Sequence, residues 1–362
     1  MTPIHPRLEP DHAPPPGATL KLILAKAGMS QRELATRTGL TPKHVNQVLN
    51  GVVTLSADVA DRLELATGVP ARLWNRLEAD YRSILTREEQ AKGLSSQVEW
   101  VQSMPVKALV DRGMLPAEPN DTTSRARQLL AFFGVATPDA WRVLWLQPNA
   151  AFRQSPVFAA HPSSVAAWLR QGELLARERD TSDFSAERLR EAIPELRALT
   201  RTDKFGSGFQ EVLAAAGVAL EYVEEIKGAR VAGATFWLGP GQAAILLSNR
   251  HKTEDVLFFT LFHEVGHLLL HGRREAFVDD EPSKHMGADP REGEADKFAA
   301  NTLIPPNRAA DLAHLGTIAE ARAFAEELGI SSAIVVGRLH REGRWPWSKG
   351  AREKRSLTIV GD

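Results

Sequence analysis

One apolar stretch, residues 253–272 (TEDVLFFTLFHEVGHLLLHG), constrains the fold of this chain more than any other. Its interior is almost wholly apolar, so we expect one long helix that is buried inside a domain. Thr253 stands at the N-cap, acidic residues follow it where the helix dipole favours negative charge, and Gly272 stands where helices commonly end. Into this apolar helix the sequence places His263, Glu264 and His267.

Histidines four residues apart lie about 40° apart around a helix, so both imidazoles project from one face. That spacing suits two nitrogen ligands on one zinc ion, and Glu264 beside them is placed to accept a proton from water at the metal. The alternative is a chance match in which the histidines are satisfied in the core. We predict that His263 and His267 bind Zn²⁺ and that Glu264 is the catalytic residue.

A zinc enzyme of this kind needs a third protein ligand, and residues 291–306 (REGEADKFAANTLIPP) contain the best candidate. They read as a helix in which Glu292 and Asp296 share a face with small and apolar residues, which favours close packing on the first helix. Glu294 lies about 200° away and is expected to face solvent. We predict that Glu292 binds zinc and that Asp296 orients a ligand imidazole; the alternative is an acidic first turn serving only the dipole.

His271 is the rival third ligand because it continues the series of histidines at every fourth position. It lies about 12 Å from His263 by helical rise, which is too far to share one zinc ion. The glycine that bends the chain in HExxHxxGxxH proteases is also missing. We therefore place His271 behind a ligand or at the surface. Tyr222 and His340 are guesses for the donor to the tetrahedral oxyanion, and spacing places neither.

The segment HEVGHLLLH followed by EGEADKFAANTLIP resembles the ImmA/IrrE family of zinc metallopeptidases. By position, the resemblance implies that His263, His267 and Glu292 are the zinc ligands and that Glu264 is the catalytic glutamate. It also implies a zincin-like α+β domain with a gluzincin-like ligand set. Members of this family resemble one another in cleaving or inactivating repressors that carry helix-turn-helix domains, often in stress or mobile-element control.

The N-terminal third of the chain shows short, well-capped helices, and SQRELATRTGLTPKHVNQVLNG fits a helix-turn-helix. Residues 29–81 resemble Xre-type helix-turn-helix proteins and, among them, the HigA/VapI-like antitoxins. The resemblance implies that Gln31 touches phosphate, and that the major groove is faced by Lys43, His44 and Gln47. The alternative is a four-helix fold kept for dimerisation or partner binding without DNA contact.

These patterns predict a mostly α, multidomain protein. We divide it into a Pro-rich arm (1–17), a helix-turn-helix domain (18–85), a helical middle region (86–215), a C-terminal α+β zincin-like domain (216–345) and a basic tail (346–362). Strands are expected at residues 218–223, 230–238 and 243–248, which form a small three-stranded sheet. An edge of that sheet can align an extended peptide across the zinc by backbone pairing.

Composition limits the location and partners of the protein. The absence of cysteine among 362 residues excludes disulfides and thiolate zinc sites, and is compatible with a reducing cytoplasm. No apolar run reaches membrane-spanning length and the start lacks a signal-peptide pattern, so we expect a cytoplasmic protein without membrane contact. Near the C-terminus, basic residues surround Trp345 and Trp347, a pattern that can bind single-stranded nucleic acid; the alternative is a solvated helix.

The leading hypothesis is a DNA-binding transcriptional regulator with zinc-dependent endopeptidase activity. Its substrate is expected to be a repressor or antitoxin-type protein, or a copy of itself. One alternative is an antitoxin-like repressor whose zinc domain is a non-proteolytic scaffold or sensor. Another is a protease gated by nucleic acid through the basic tail. A homodimer is the default, because Xre-type modules bind palindromic sites.

Overall fold

The computed structural model describes residues 14–146, 161–248, 253–271, 277–279 and 290–357. The chain divides into two compact units, Met1–Gln97 (unit 1) and Val98–Asp362 (unit 2). Helices dominate the described residues of both units, and one small sheet lies in unit 2. This confirms the predicted class, a mostly α protein of several domains.

The described residues of unit 1 form helices that pack around one apolar core. They are α1 (Pro16–Ala27), α2 (Gln31–Thr38), α3 (Pro42–Leu49), α4 (Ala57–Thr67) and α5 (Ala71–Ser95). The side chains of Ser30, Thr41 and Ser56 accept backbone hydrogen bonds at the starts of α2, α3 and α4, as N-caps do. Helix α5 runs through residue 85, where we placed a domain boundary, because neither proline nor glycine interrupts it before Gly93.

The first part of unit 2 is helical. Its elements are α6 (Val98–Gln102), α7 (Val106–Asp111), α8 (Thr122–Phe133), α9 (Pro138–Leu146), α10 (Pro162–Glu178), α11 (Ala186–Leu199) and α12 (Phe205–Ala215). Helices α6 and α7 are separate because Pro105 cannot donate the backbone hydrogen bond that would continue the first into the second. Residues 147–160, which follow α9, lie outside the described residues.

Among the described residues, the stretch Thr122–Leu146 has the length and composition of a membrane span. It is not one helix, since α8 ends at Gly134, whose φ of 67° is left-handed. The two helices have 12 and 9 residues, and a span needs about 20. Neither helix is therefore long enough to cross a bilayer.

The sheet of unit 2 has four strands rather than the three that we predicted. In the described residues they are β1 (Val218–Tyr222), β2 (Gly233–Gly239), β3 (Gln242–Leu247) and β4 (Phe277–Asp279), in the order β1-β3-β2-β4. Strand β1 runs parallel to β3, whereas β2 is antiparallel to both β3 and β4. The sequence analysis missed β4 because three residues are too few to show the alternation that identifies a strand.

The apolar stretch forms α13 (Glu254–Leu270), which lies against β2 and β3. The helices that follow it are α14 (Pro290–Leu303), α15 (Pro306–Ala309), α16 (Ile318–Leu328) and α17 (Ser332–Arg341), of which α14 and α17 pack on α13. Phe258, Phe262 and Val265 of α13 are fully buried in the main core, so the helix is internal as expected. Thr253 occupies the N-cap without a side-chain cap bond, and the expected stop at Gly272 lies outside the described residues.

The C-terminal residues fold back on the first turn of α13. Lys354 Nζ lies 2.7 Å from Asp255 Oδ2, and both side chains are only 8% exposed. Arg355 Nε donates to the buried carboxylate of Glu254 at 2.5 Å. The acidic first turn that we assigned to the helix dipole is thus also the docking site of the C-terminal segment.

This docking bears on the predicted binding of single-stranded nucleic acid. Trp345 is buried, and its indole N–H donates to the Leu315 carbonyl oxygen at 3.0 Å, so its face is not available to stack on bases. Trp347 is 71% exposed. Binding of single-stranded nucleic acid stays a prediction, and it rests on Trp347 more than on the charges, several of which form ion pairs within the chain.

We expect Lys354→Ala to lower the free energy of unfolding of unit 2 by about 3 kcal/mol, because it leaves the buried carboxylate of Asp255 without its counter-charge. The measurement is urea denaturation of the full chain, followed by circular dichroism. Arg352→Ala is the matched control, since Arg352 is exposed two residues earlier and a change within about 0.5 kcal/mol is expected there. Equal stability of the two variants would show that the segment is not anchored.

Candidate metal centre

Two helices bring the predicted ligands together, and small residues let them approach. A Cβ atom added to Gly266 of α13 would lie 3.3 Å from the Cα atom of Ala295 and 3.1 Å from the Phe298 ring of α14. Ala295 and Ala299 are fully buried along this crossing. The small-residue face that we expected on α14 is therefore the face that packs on α13.

The nitrogens of two imidazoles and one carboxylate oxygen form a triangle at this crossing. The Nε2 atoms of His263 and His267 are 2.9 Å apart, and Glu292 Oε2 lies 3.1 Å from the first and 3.5 Å from the second. Four ligands placed tetrahedrally about zinc, with bonds of about 2.0–2.1 Å, are separated by about 3.3 Å. The three donors therefore have the spacing that a zinc ion requires.

The charges of the triangle also suit a divalent cation. Burial lowers the pKa of His267 to about 4, which keeps its imidazole neutral near pH 7. Burial by itself would raise the pKa of Glu292, but the interactions of its carboxylate with the neighbouring imidazoles of His263 and His267 outweigh burial, so the net pKa lies well below the usual value. An anionic carboxylate beside neutral imidazole is a donor set that zinc binds.

Each imidazole has a partner behind it. His263 Nδ1 lies 2.9 Å from Asp296 Oδ1, so its N–H donates to a carboxylate, as we expected of Asp296. His267 Nδ1 lies 3.0 Å from His271 Nδ1. The structure therefore puts His271 behind a predicted ligand, outside the triangle. His271 Nε2 in turn lies 3.1 Å from Glu294 Oε2, and the side chain of Glu294 is 62% exposed, as its expected orientation toward solvent requires.

Glu264, the residue after His263 in α13, is fully buried and is held by the sheet. Its Oε2 accepts a hydrogen bond from the Thr235 hydroxyl of β2 at 2.5 Å, and Thr235 is itself buried. A Cβ atom on Gly233 would lie 2.6 Å from the Thr260 side chain and closer still to the Glu264 carboxylate. A larger residue than glycine at the start of β2 would therefore displace the glutamate.

Phe277 of β4 is a further residue of the site that the sequence analysis missed. Its ring stacks on the imidazole of His267 with a centroid distance of 3.9 Å and an interplanar angle of 16°. It also lies 5.3 Å from the ring of His271. No periodic signal marks this residue. The order of the elements predicts that β2 lies near α13. It does not predict the register of β2 on α13, and that register decides that Thr235 is the residue that contacts Glu264.

The two guesses for the oxyanion donor have other partners. The hydroxyl of Tyr222 donates to the Gly206 carbonyl oxygen at 3.1 Å, on β1 at the edge of the sheet opposite β4. The Nε2 atom of His340 lies 2.8 Å from the Lys349 carbonyl oxygen. The geometry does not bring either side chain to the triangle of donors.

The predicted DNA-contacting residues lie on α2 and α3 of unit 1. Gln31 is exposed as the first residue of α2, and Lys43 is exposed in the first turn of α3. His44 and Gln47 are half-buried, one turn apart on α3. The structure therefore places all four residues on the two helices of the predicted helix-turn-helix, and their contacts with DNA remain a prediction.

Known protein families match both ends of the chain. A helix-turn-helix family model matches residues 20–74, and the model of the IrrE N-terminal-like domain matches residues 222–340. Both resemblances read from the sequence are thus confirmed: the chain carries an Xre-like helix-turn-helix domain and an IrrE/ImmA-like peptidase-family domain. This combination is that of a DNA-binding regulator with a domain from a metal-dependent peptidase family.

One solved structure and the curated proteins complete the comparison. The chain is similar to an addiction module antidote protein of a HigA family from Coxiella burnetii, with 25% identity, a TM-score of 0.22, and coverage of 24% of this chain and 96% of that one. No curated protein matches the chain.

Proposed function

We propose that this protein is a zinc-dependent endopeptidase joined to a DNA-binding module. Its proposed substrate is a repressor or antitoxin-type protein, or a second copy of this chain. The observation that carries the proposal is the triangle of His263, His267 and Glu292, whose donor atoms are separated by 2.9–3.5 Å. The match to an IrrE-like peptidase domain supports the same chemistry.

A bound zinc ion would polarise the scissile carbonyl and lower the pKa of its water toward about 7. In this proposal Glu264 would accept a proton from the attacking water and would donate it to the leaving amine. The hydroxyl of Thr235 holds the Glu264 carboxylate in place, and Gly233 leaves the space that the carboxylate occupies. Asp296 fixes the ring of His263 from behind, which presents Nε2 to the metal.

The sheet supplies a place for the substrate in this proposal. Strand β4 is at one end of the strand order, and its Phe277 lies on the ring of His267. An extended peptide that pairs its backbone with a strand at this edge would pass beside the zinc ligands. A repressor segment that can unfold into an extended conformation can pair with such an edge, whereas a rigid helix cannot.

The test is the metal itself. We expect the purified full chain to contain one zinc ion per molecule by elemental analysis. A co-expressed helix-turn-helix repressor, or the chain itself, is expected to be cleaved by the zinc-loaded protein and not after zinc is removed with a chelator. Restoring zinc is expected to restore cleavage. A purified chain that binds no zinc would contradict the proposal.

The DNA-binding half is tested by its dependence on salt. We expect Lys43→Ala to weaken binding to a duplex of random sequence and to reduce the slope of log K against log salt by about 0.9, because one phosphate contact is lost. Arg72→Ala removes the same charge from the exposed face of α5 and is expected to leave the slope unchanged. Equal slopes for both variants would favour a helix-turn-helix fold that does not contact DNA through α3.

The remaining parts of the proposal follow from DNA binding. An operator-binding protein acts where the chromosome is, so we place the protein in the cytoplasm. A homodimer is proposed because helix-turn-helix domains of this type read two half-sites related by symmetry.

A further inference from the structure

The two imidazoles of the proposed zinc site are supported in different ways. His263 donates directly to the carboxylate of Asp296. His267 is instead hydrogen-bonded to a second imidazole, that of His271. His271 is in turn hydrogen-bonded to the carboxylate of Glu294. The side chain of His271 is 5% exposed and that of Glu294 is 62% exposed, so this second chain runs from the buried ligand to the surface.

The protons of this chain have two self-consistent arrangements when both imidazoles are neutral. In the first, His267 carries its proton on Nδ1 and donates to His271 Nδ1, and His271 carries its proton on Nε2. In the second, His271 donates from Nδ1 to His267 Nδ1, and the proton of His267 sits on Nε2. Only the first arrangement leaves the Nε2 lone pair of His267 available for a metal ion.

Glu294 favours the first of these arrangements, and it does so against Glu292, whose Oε2 lies 3.5 Å from His267 Nε2 and would accept a proton from it in the second. The carboxylate of Glu294 can only accept a hydrogen bond, and it lies 3.1 Å from His271 Nε2. It therefore stabilises a proton on that nitrogen, which is the first arrangement. In the second arrangement the unprotonated Nε2 of His271 would face an anionic oxygen, which is repulsive. The exposed carboxylate thus acts on a buried nitrogen two rings away.

The rings are also held in the orientation that the chain needs. Phe277 stacks on His267 at 3.9 Å and lies tilted against His271 at 5.3 Å. Because the Phe277 ring packs on both imidazoles, it opposes rotations that would break the hydrogen bond between His267 and His271. The chain of hydrogen bonds is therefore supported by packing as well as by its polar ends.

We propose that His271 and Glu294 form a relay that fixes His267 in its metal-binding tautomer, so that Glu294 is a positioning residue for the zinc site. This inference rests on the proposed function, since it concerns how the same site holds its metal. It assigns a role to a residue that helical geometry alone directs toward solvent. The relay acts on zinc affinity before any substrate is bound.

The experiment measures the affinity of the full chain for Zn²⁺ near pH 7 by competition with a chromophoric chelator. We expect His271→Ala to lower the affinity by about 10-fold to 100-fold, as loss of the partner of a metal-bound histidine does. Glu294→Ala is expected to lower it by about 10-fold. Glu294→Gln is expected to lower it by less than Glu294→Ala does, because its amide oxygen can still accept from His271 Nε2 but its NH₂ group can also donate to that nitrogen and so allow the other tautomer.

The control is Glu211→Ala, which removes an equal charge from an exposed position on α12 and is expected to leave zinc affinity unchanged. Long-range ¹H–¹⁵N spectra of the metal-free wild type are expected to place the proton of His267 on Nδ1, before a zinc ion can impose that tautomer. If His271→Ala fails to fold, the exposed Glu294 variants carry the test.

The outcomes separate this inference from the function on which it rests. Equal zinc affinity of Glu294→Ala and Glu211→Ala, in a wild type that binds zinc, would overturn the relay and leave the zinc site intact. A wild type without zinc affinity would overturn both proposals.

Discussion

Glu264→Gln is expected to reduce cleavage of the proposed substrate by about 10²-fold to 10⁴-fold while zinc content and fold are kept. Glutamine has the same shape as glutamate, and its amide oxygen can still accept from the Thr235 hydroxyl, so the buried position stays filled. It cannot take a proton from water, which is the role we propose for Glu264. The measurement is the rate at which cleavage products appear, beside elemental analysis of the same preparation.

The control for this substitution is Glu254→Gln. Glu254 is a second buried glutamate of α13, but it pairs with Arg355 at the opposite end of the helix from the proposed zinc ligands. That variant is expected to lose stability and to keep its cleavage rate. Cleavage by Glu264→Gln at the wild-type rate would remove the enzymatic claim. Cleavage by neither variant nor the wild type, with operator binding intact, would favour the non-proteolytic scaffold or sensor.

Glu292→Ala is expected to lower zinc affinity by more than about 100-fold, because it removes a direct ligand and not merely the partner of one. The remaining donors are two neutral imidazoles, which attract a divalent cation less than a set that includes a carboxylate does. Elemental analysis after gel filtration is expected to find the variant largely free of zinc. Circular dichroism checks that the fold is kept.

Asn301→Ala is the control for the helix itself, since Asn301 is exposed further along α14 and has no part in the triangle. It is expected to keep one zinc ion per chain. Wild-type zinc content in Glu292→Ala would move the third ligand to another residue, and His271 or Glu294 would be tested next.

Local periodicity was sufficient for the first elements of the site. The placement of His263 and His267 on one face depends only on the helical repeat, and their burial depends only on the apolar residues around them. The helical repeat of α14 also predicted that Glu292, and not Glu294, lies on the face that can bind the metal ion. These predictions needed no knowledge of what lies across the site, and the structure brings the three residues together.

Residues that reach the site from elsewhere could not be found in this way. The hydroxyl of Thr235 is hydrogen-bonded to Glu264, which lies 29 positions later in the sequence. The side chain of Arg355 is hydrogen-bonded to Glu254, which lies 101 positions earlier. Periodicity predicts which face a side chain occupies, but it does not predict the register of a strand on a helix or the path of a tail. Strand β4 was missed for the same reason, and with it the stacking of Phe277 on His267.

The amino-acid sequence by itself determined the buried helix, the spacing of its histidines and the helical face that offers a carboxylate. It also determined the resemblance of each end of the chain to a known family, because motifs are local in sequence. Only the tertiary structure decided that Thr235 holds Glu264, that Glu294 reaches His271, and that the basic C-terminal segment docks on α13. Those contacts join segments that are distant along the chain, and their geometry is set by the packing of the whole unit.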